Sequence, residues 1–351
     1  MKILVTGGAG FVGFNLLCYL KDSYPTYQLL AYDNLKRLGS EQNVPSLLAR
    51  GIEFVHGDIR NAQELQQVGA VDVIIHCASD ASVLGGITSS SELIVQNNLL
   101  GSINVFEYAA QCNAKLVYFS TNRIYSCESL NALAYMEQET RFTLEENQQL
   151  AGVSDQGISE QFPILLSKTF YGATKYCGEV LLQEYAAYKG LQYVVNRFGV
   201  ISGKGQFGME SQGVIAYWLR QHLEKKPLKY IGFGGSGKQV RDALHVADVC
   251  ALVDLQLQHF DSVQGNVFNA GGGYANSFSL LELTGYCEAL TGNSVPIQVV
   301  ADQRAGDIPI YYTDNSHVTA ALGWVPQRSI HDILSDLLDW LDPTAKISFP
   351  G

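Results

Sequence analysis

The chain has 351 residues and a formal net charge of −11 at pH 7, from 23 Lys and Arg against 34 Asp and Glu. Such an acidic chain is poorly suited to nucleic acid or an anionic membrane surface as its main partner, because like charges repel. No stretch approaches the roughly 20 apolar residues of a membrane span and no signal-peptide pattern is present, so we expect a cytoplasmic protein. The seven cysteines are scattered without Cys-x-x-Cys pairs, as in reduced core positions, and the seven histidines lack metal-ligand spacing, so no metal site is expected.

A glycine-rich turn follows the first apolar run of the chain. Gly7, Gly10 and Gly13 lie between the run 3–5 and a stretch with apolar residues at helical spacing. Glycine tolerates the tight turn and lets backbone N–H groups and a helix N-terminus approach a pyrophosphate. Asp33 closes the next apolar run at the distance where a carboxylate binds the adenosine ribose. The pattern predicts dinucleotide binding, and Asp33 favours NAD over NADP because a carboxylate repels a 2′-phosphate.

Strand and helix patterns alternate through about residue 200. The clearest helical pattern covers 91–111, and apolar runs typical of buried parallel strands occur at 3–6, 29–32, 53–55, 73–77, 115–119 and 193–198. This alternation predicts an α/β fold with a doubly wound parallel sheet of the Rossmann type, followed by a smaller C-terminal α/β domain. We expect an NAD-binding domain formed by 1–198 plus about 238–258, and a substrate domain formed by about 199–237 and 259–345.

The segment from about 126 to 165 interrupts this alternation. It is polar, contains several acidic residues and shows no clear periodicity. It is too long for an ordinary connection between two elements, which indicates a functional excursion rather than a linker. We expect it to close over the substrate.

Tyr171 and Lys175 lie four residues apart in a helical pattern, so their side chains share one helix face. A cation beside the phenol favours the phenolate, which suits Tyr171 to act as a general base. Ser120 and Thr121 follow an apolar strand, and α/β folds place their chemistry at the carboxyl edge of the sheet. We therefore expect the Thr121 hydroxyl to share a hydrogen bond with Tyr171 and a substrate oxygen.

Together with His56-Gly57-Asp58-Ile59 and His76-Cys77-Ala78, these motifs resemble the extended short-chain dehydrogenase/reductases over essentially the whole chain. Within that superfamily the chain resembles the NAD-dependent nucleotide-sugar epimerases, most closely the CDP-tyvelose (CDP-paratose) 2-epimerases. The narrower likeness is carried by 120–125, 139–142, 205–207 with 212–213, 237–242 with 244–245, and 276–283.

The resemblance implies a role for each matching position. Thr121 would position the sugar hydroxyl, Tyr171 would be the base, and Lys175 would hold the nicotinamide ribose and lower the pKa of Tyr171. The other residues implied to bind NAD are Gly7, Gly10, Phe11, Val12, Gly13, Asp33, Asn34, Asp58, Ile59, Ala78, Asn98 and Ser120. The residues implied to bind the nucleotide sugar are Asn122, Arg123, Gln206, Gln212, Arg241 and Arg304, the last two because a guanidinium pairs well with phosphate.

The implied reaction oxidises a sugar carbon transiently to a ketone and reduces it again from the opposite face, so that NAD is unchanged. In a 2-epimerase of this kind the carbon is C2 of a CDP-3,6-dideoxyhexose. A 4,6-dehydratase requires an acidic pair where Asn122 and Arg123 stand, which disfavours dehydration. A UDP-sugar 4-epimerase, a nucleotide-sugar reductase and a non-catalytic dinucleotide-sensing protein stay open as alternatives. The resemblance also implies a homodimer or homotetramer, assembled through 91–111 and 172–189.

Overall fold

The computed structural model describes residues 1–87, 89–209 and 212–342. Up to residue 124 the elements are β1 (Lys2–Thr6), α1 (Phe11–Ser23), β2 (Gln28–Asp33), α2 (Val44–Ala49), β3 (Glu53–His56), α3 (Ala62–Gln66), β4 (Val73–His76), α4 (Glu92–Val95), α5 (Gly101–Cys112) and β5 (Lys115–Thr121). The later elements are α6 (Cys127–Asn131), β6 (Tyr135–Glu137), β7 (Phe142–Leu144), β8 (Val153–Ser154), β9 (Gly157–Ile158), α7 (Phe170–Lys189), β10 (Tyr193–Phe198), β11 (Val200–Ser202), α8 (Val214–Leu223), β12 (Leu228–Ile231), β13 (Val240–His245), α9 (Val246–Gln258), α10 (Phe260–Val263), β14 (Val267–Ala270), β15 (Ser277–Ser279), α11 (Leu280–Thr291), β16 (Ile297–Val300), α12 (Ser316–Leu322) and α13 (Ile330–Leu341).

Seven strands form the central sheet in the order β14-β10-β5-β4-β1-β2-β3. The pairs β1–β2, β1–β4, β2–β3 and β4–β5 are parallel, and the strand order reverses on either side of β1. β4 and β10 are buried at every residue, as expected for strands whose two faces are covered by helices. The predicted doubly wound parallel sheet is confirmed. All six predicted strands are present, and the predicted helix over 91–111 consists of α4 and α5 joined by a π-helical segment at 96–100.

The chain divides into two compact units. Unit 1 comprises 1–124, 170–197 and 249–268, and unit 2 comprises 125–169, 198–248 and the chain from 269 onward. These boundaries differ from the predicted domains at three places. The segments 125–169 and 238–248 cluster with unit 2, whereas 259–268 cluster with unit 1. The glycine turn, Asp33, Thr121, Tyr171 and Lys175 all belong to unit 1.

The polar segment 126–165 is folded within unit 2. It contains α6 and two short antiparallel hairpins, β6–β7 and β8–β9. The backbone N–H of Phe142 donates to the carbonyl oxygen of Lys238 at 2.9 Å, and Arg141 forms an ion pair with Glu282. These contacts explain why the segment clusters with unit 2. Its expected role over the substrate stays a prediction.

The rest of unit 2 is built on small sheets and helices. β13 pairs with β11 in parallel and with β15 in antiparallel fashion, and β12 pairs with β16. Apolar residues of α8, α11 and α13 form one core that includes Leu219, Leu283 and Leu334. Across the residues that the structure describes, no helix is long and apolar enough to span a bilayer.

Candidate active site

The glycine turn between β1 and α1 has the geometry of an anion cradle. Gly7 has a φ of +71°, and a Cβ atom there would lie 2.8 Å from the backbone nitrogen of Ala78. A Cβ atom at Gly13 would lie 2.3 Å from the carbonyl oxygen of Gly7, whereas one at Gly10 would meet only that oxygen, at 3.2 Å. No side chain caps the first turn of α1, which begins at Phe11 and continues through Val12. The turn therefore fits a pyrophosphate, with its backbone closely packed at all three glycines and helix N–H groups beside it.

Asp33 ends β2 beside this turn. Its Oδ2 atom accepts a hydrogen bond from the backbone of Ala9 at 3.1 Å, and its Oδ1 atom accepts one from Leu35 at 2.8 Å. Burial raises the pKa of Asp33, and these backbone hydrogen bonds act in the opposite direction. The carboxylate is thus held in a defined orientation where the ribose hydroxyls of NAD would bind.

A cavity of about 430 Å³ lies at the carboxyl ends of β2 and β3, and Asn34 and Asp58 are among its lining residues. Asp58 accepts hydrogen bonds from Arg60 at 2.6 Å and from Asn34 at 2.8 Å. The Arg60 hydrogen bond is the largest of the effects that lower the pKa of Asp58, so this carboxylate is charged. Ile59, which was expected to bind NAD, is buried in the core. It packs closely against Gly101, since a Cβ atom at Gly101 would lie 2.7 Å from the Cδ1 atom of Ile59.

Asn98 lies on the π-helical segment, and its side chain is fully buried. Its amide nitrogen donates to the carbonyl of Asp80 at 2.8 Å, and its amide oxygen accepts from the backbone of Asp80 at 2.7 Å. These contacts give Asn98 a structural role, and its expected place on the nicotinamide side of the cofactor stays a prediction. Its amide holds the loop that carries Ala78 and Ser79.

Tyr171 and Thr121 are brought together as predicted. The side chains of Thr121 and Ser79 lie beside the Tyr171 phenol and favour its phenolate form. Burial raises the pKa of Tyr171, while the Thr121 side chain and the charge of Arg123 act in the opposite direction. The expected lowering of this pKa by Lys175 stays a prediction.

Lys175 is 1% exposed, and its Nζ atom donates to the carbonyl oxygen of Phe119 at 2.8 Å. The same Nζ atom lies 4.8 Å from the centroid of the Tyr118 ring. Burial lowers the pKa of Lys175 from its usual 10.5 to about 8, so the ammonium is the principal form at neutral pH. The β5 backbone thus holds a cation one helical turn after Tyr171.

The turn formed by residues 122–124 packs directly against the start of α7. A Cβ atom at Gly172 would lie 1.9 Å from the carbonyl oxygen of Arg123. Asn122 is buried, and the backbone N–H of Arg123 donates to the Thr121 hydroxyl at 3.2 Å. Gly172 was missed by the sequence analysis. Its only sequence signal is a glycine in a helix, beside the catalytic tyrosine, where glycine is otherwise unfavourable.

Ser120 contacts a second buried group, Glu179, which the sequence analysis did not identify. Its hydroxyl donates a short hydrogen bond to Glu179, and Glu179 forms an ion pair with Arg197 at 2.7 Å. The Ser120 hydroxyl proton is thus donated to Glu179, and the expected contact of Ser120 with the cofactor stays a prediction. Glu179 lies two helical turns after Tyr171 on the same face, which is the one signal that could have identified it.

The two arginines predicted to bind pyrophosphate have protein partners in unit 2. Arg241 donates to the carbonyl oxygens of Val240 at 2.6 Å and Ile308 at 2.8 Å, which orients its guanidinium. Arg304 is exposed and pairs with Asp307 at 3.2 Å. Arg304 therefore has a nearby aspartate as its ion-pair partner in this structure.

The two glutamines predicted to bind substrate lie in the loop between β11 and α8. The amide of Gln206 accepts from the Ser202 hydroxyl at 2.7 Å and donates to the carbonyl of Ile201 at 2.8 Å. Gln212 exchanges backbone hydrogen bonds with Met209. Gln206 therefore shapes its own loop, and a direct substrate contact by either residue stays a prediction.

A doubly wound sheet with a tyrosine and a lysine on one helix face, opposite a threonine at a strand end, is the architecture of an extended short-chain dehydrogenase/reductase. The family model described as the NAD dependent epimerase/dehydratase family matches residues 3–271, and the chain belongs to that family. The chain is therefore an enzyme whose cofactor is NAD, and the glycine turn and Asp33 fit that cofactor.

Known proteins with similar sequences or folds include nucleotide-sugar epimerases and dTDP-glucose 4,6-dehydratases. The chain is 32% identical over 353 residues to the CDP-paratose 2-epimerase of Salmonella typhi, covering 97% of this chain and 99% of that relative. It is 26% identical to the UDP-glucose 4-epimerase of Bacillus subtilis, covering 97% and 96%. The UDP-glucose 4-epimerase of Thermus thermophilus, solved in complex with NAD, superposes with a TM-score of 0.79 at 24% identity over 98% of this chain and 100% of that chain, which shows the shared fold.

Replacing Asp33 by Asn is expected to weaken NAD binding by about 10- to 100-fold, because a hydrogen bond to a charged group contributes about 1.5–3 kcal/mol. The same change should narrow the preference for NAD over NADP, since the repulsion of a 2′-phosphate is removed. Calorimetric titration with each cofactor measures both effects. Asp22→Asn is the matched control, because Asp22 is an exposed α1 residue paired with Arg50. Unchanged NAD affinity in Asp33→Asn would contradict the ribose-binding role.

Proposed function

We propose that this enzyme epimerises a nucleotide-activated sugar, and that its reaction is C2 epimerisation of CDP-paratose to CDP-tyvelose or a close analogue. One observation carries the proposal. The Tyr171 phenol lies beside Thr121 at the end of β5, with the Lys175 cation one turn further along α7. The 32% identity to a CDP-paratose 2-epimerase supports the choice of sugar and nucleotide.

The chain's own residues supply proton transfer and orientation. Bound NAD⁺ would supply the reversible hydride chemistry at the sugar carbon. The Tyr171 oxygen takes the proton of the reacting hydroxyl and gives it back when the ketone is reduced. The Thr121 hydroxyl, which lies beside the phenol, orients the sugar oxygen toward Tyr171. The positive charge of Arg123 favours the Tyr171 phenolate, which offsets part of the burial penalty.

The residues after Thr121 favour epimerisation over dehydration. A dehydratase needs an acidic residue there to expel water, whereas this chain has Asn122, which is buried, and Arg123. An arginine cannot donate a proton in this pH range, since its pKa is above about 12. The site can therefore exchange a hydride and a proton, but it has no acid in the required position to remove a hydroxyl group.

In unit 2 we propose Arg241 and Arg304 as ligands of the substrate pyrophosphate. The guanidinium of Arg241 is already oriented by two backbone carbonyls, which lowers the entropy cost of binding a phosphate. The exposed Arg304 would exchange its partly buried carboxylate partner Asp307 for phosphate oxygens. Gln206 and Gln212 are proposed to line the nucleotide or sugar subsite, and the enzyme is proposed to work as a homodimer or homotetramer.

A panel of CDP-, UDP-, GDP- and dTDP-sugars tests this proposal, with each product analysed by NMR at every sugar carbon. We expect CDP-paratose to be converted to its C2 epimer, without uptake of deuterium from solvent at C2, because direct oxidation returns the same hydride. Inversion at C4 of a UDP-sugar would instead support the second candidate, which the 26% identity to UDP-glucose 4-epimerases favours. Turnover of no nucleotide sugar in the panel would contradict epimerisation altogether.

A further inference from the structure

Three residues of α7 contact three consecutive residues of β5. Tyr171, Lys175 and Glu179 are spaced by four residues and are buried on one helix face. Their partners on β5 are the Thr121 side chain for Tyr171, the Phe119 carbonyl for Lys175 and the Ser120 hydroxyl for Glu179. The two catalytic contacts therefore form one series with a third contact that touches neither substrate nor cofactor.

The third contact is the most strongly restrained of the series. The Glu179 carboxylate accepts a hydrogen bond from the Ser120 hydroxyl. It also accepts hydrogen bonds from Arg197 on β10, at 2.7 Å from Nη2 and at 3.2 Å from Nε. The side chains of Arg197 and Glu179 are only 8% and 3% exposed. The adjacent Gly178 lets α7 approach closely, since a Cβ atom there would lie 2.5 Å from the Tyr118 hydroxyl. The buried ion pair thus joins α7 to two strands of the sheet.

The surroundings of Lys175 contain several other titratable groups. His76 and Cys77 face it from the end of β4, Tyr118 from β5, and Tyr171 from its own helix. Burial keeps His76 neutral by lowering its pKa, and keeps the Cys77 thiol neutral by raising its pKa. Glu179 supplies a negative charge, and its effect on Lys175 is to favour the ammonium form.

We propose that Glu179, restrained by Arg197 and Ser120, is a positioning residue that sets the register of α7 on β5 and keeps Lys175 charged against the Phe119 carbonyl. The proposal rests on the role proposed for Lys175 beside Tyr171. It does not depend on which sugar is the substrate. A buried ion pair is weak evidence for stability, because desolvation cancels much of its attraction, so a specific role of this kind accounts better for its presence.

The test is the titration of Lys175 in the full chain, labelled with carbon-13 lysine and followed by NMR. The Lys175 resonance is assigned by its loss in Lys175→Met. We expect Glu179→Gln to move the midpoint of the Lys175 titration to lower pH than the wild-type value of about 8. Glu282→Gln is the matched control, because it breaks the partly buried ion pair with Arg141 in unit 2. That control should leave the Lys175 midpoint unchanged.

Glu179→Gln removes the carboxylate partner of Arg197, and the loss of a buried partner can unfold a protein. The double variant Glu179→Gln/Arg197→Met removes both charges and keeps the fold testable. We expect the Lys175 midpoint to fall in this variant also, and kcat to fall with little change in KM. A wild-type Lys175 midpoint in the folded double variant would overturn the proposal. Because this titration uses no sugar, it tests the role of Glu179 even if no nucleotide sugar is turned over.

Discussion

Replacing Tyr171 by Phe is expected to lower kcat by about 10²- to 10⁴-fold, the usual contribution of a positioned general base. The change removes the phenol oxygen beside Thr121 and Ser79, and it leaves the buried ring in place. Because the cofactor cradle is formed by other residues, the amount of NAD bound per chain should stay at the wild-type level. Steady-state kinetics on the substrate found in the panel, together with the NAD content of the purified protein, measure the two effects.

Tyr188→Phe provides the control for this experiment. Tyr188 lies on the same helix, but it is 83% exposed, so loss of its hydroxyl should not change kcat. If the Tyr171→Phe variant keeps more than about a tenth of the wild-type kcat, Tyr171 is not the general base. A loss of activity accompanied by loss of NAD would instead assign Tyr171 to cofactor binding.

The second large effect is expected from Gly172→Ala. The new methyl group would lie 1.9 Å from the Arg123 carbonyl oxygen, which is backbone and cannot rotate away. The 122–124 turn must therefore move away from α7, and overpacking of this kind costs about 1–3 kcal/mol. The turn follows Thr121 directly, so its movement displaces the hydroxyl that orients Tyr171. A displacement of about 1 Å in an active site can cost about 10²-fold in rate.

Gly285→Ala is the matched control, because Gly285 also lies inside a helix but a Cβ atom there would meet nothing within 4 Å. We expect that control to be stabilised by about 0.5–1 kcal/mol, the helix-propensity difference between alanine and glycine, with kcat unchanged. Denaturant unfolding and kcat separate the two sites. A Gly172→Ala variant with wild-type kcat would show that the 122–124 turn does not position Thr121.

Features set by residues close together in the chain were predictable, whereas features set by distant residues were not. The strands, the glycine turn and the Tyr171–Lys175 pair depend on periodicity and on spacing within one element, so they were predictable. Ile59 and Asn98 were expected at the cofactor, and in the structure Ile59 is buried in the core and Asn98 contacts Asp80. Spacing cannot show which way such a side chain points.

By itself, the sequence determined the class of fold and the kind of cofactor, and it predicted the proton-transfer residues. These follow from local patterns, since a strand, a turn and a helix face are each encoded by a few consecutive residues. Only the tertiary structure decided which residues pack around the predicted site. Gly172 against Arg123, and Glu179 with Ser120 and Arg197, join segments that are distant along the chain. Burial also raises the pKa of Tyr171, because desolvation depends on the packing of the whole unit around the phenol.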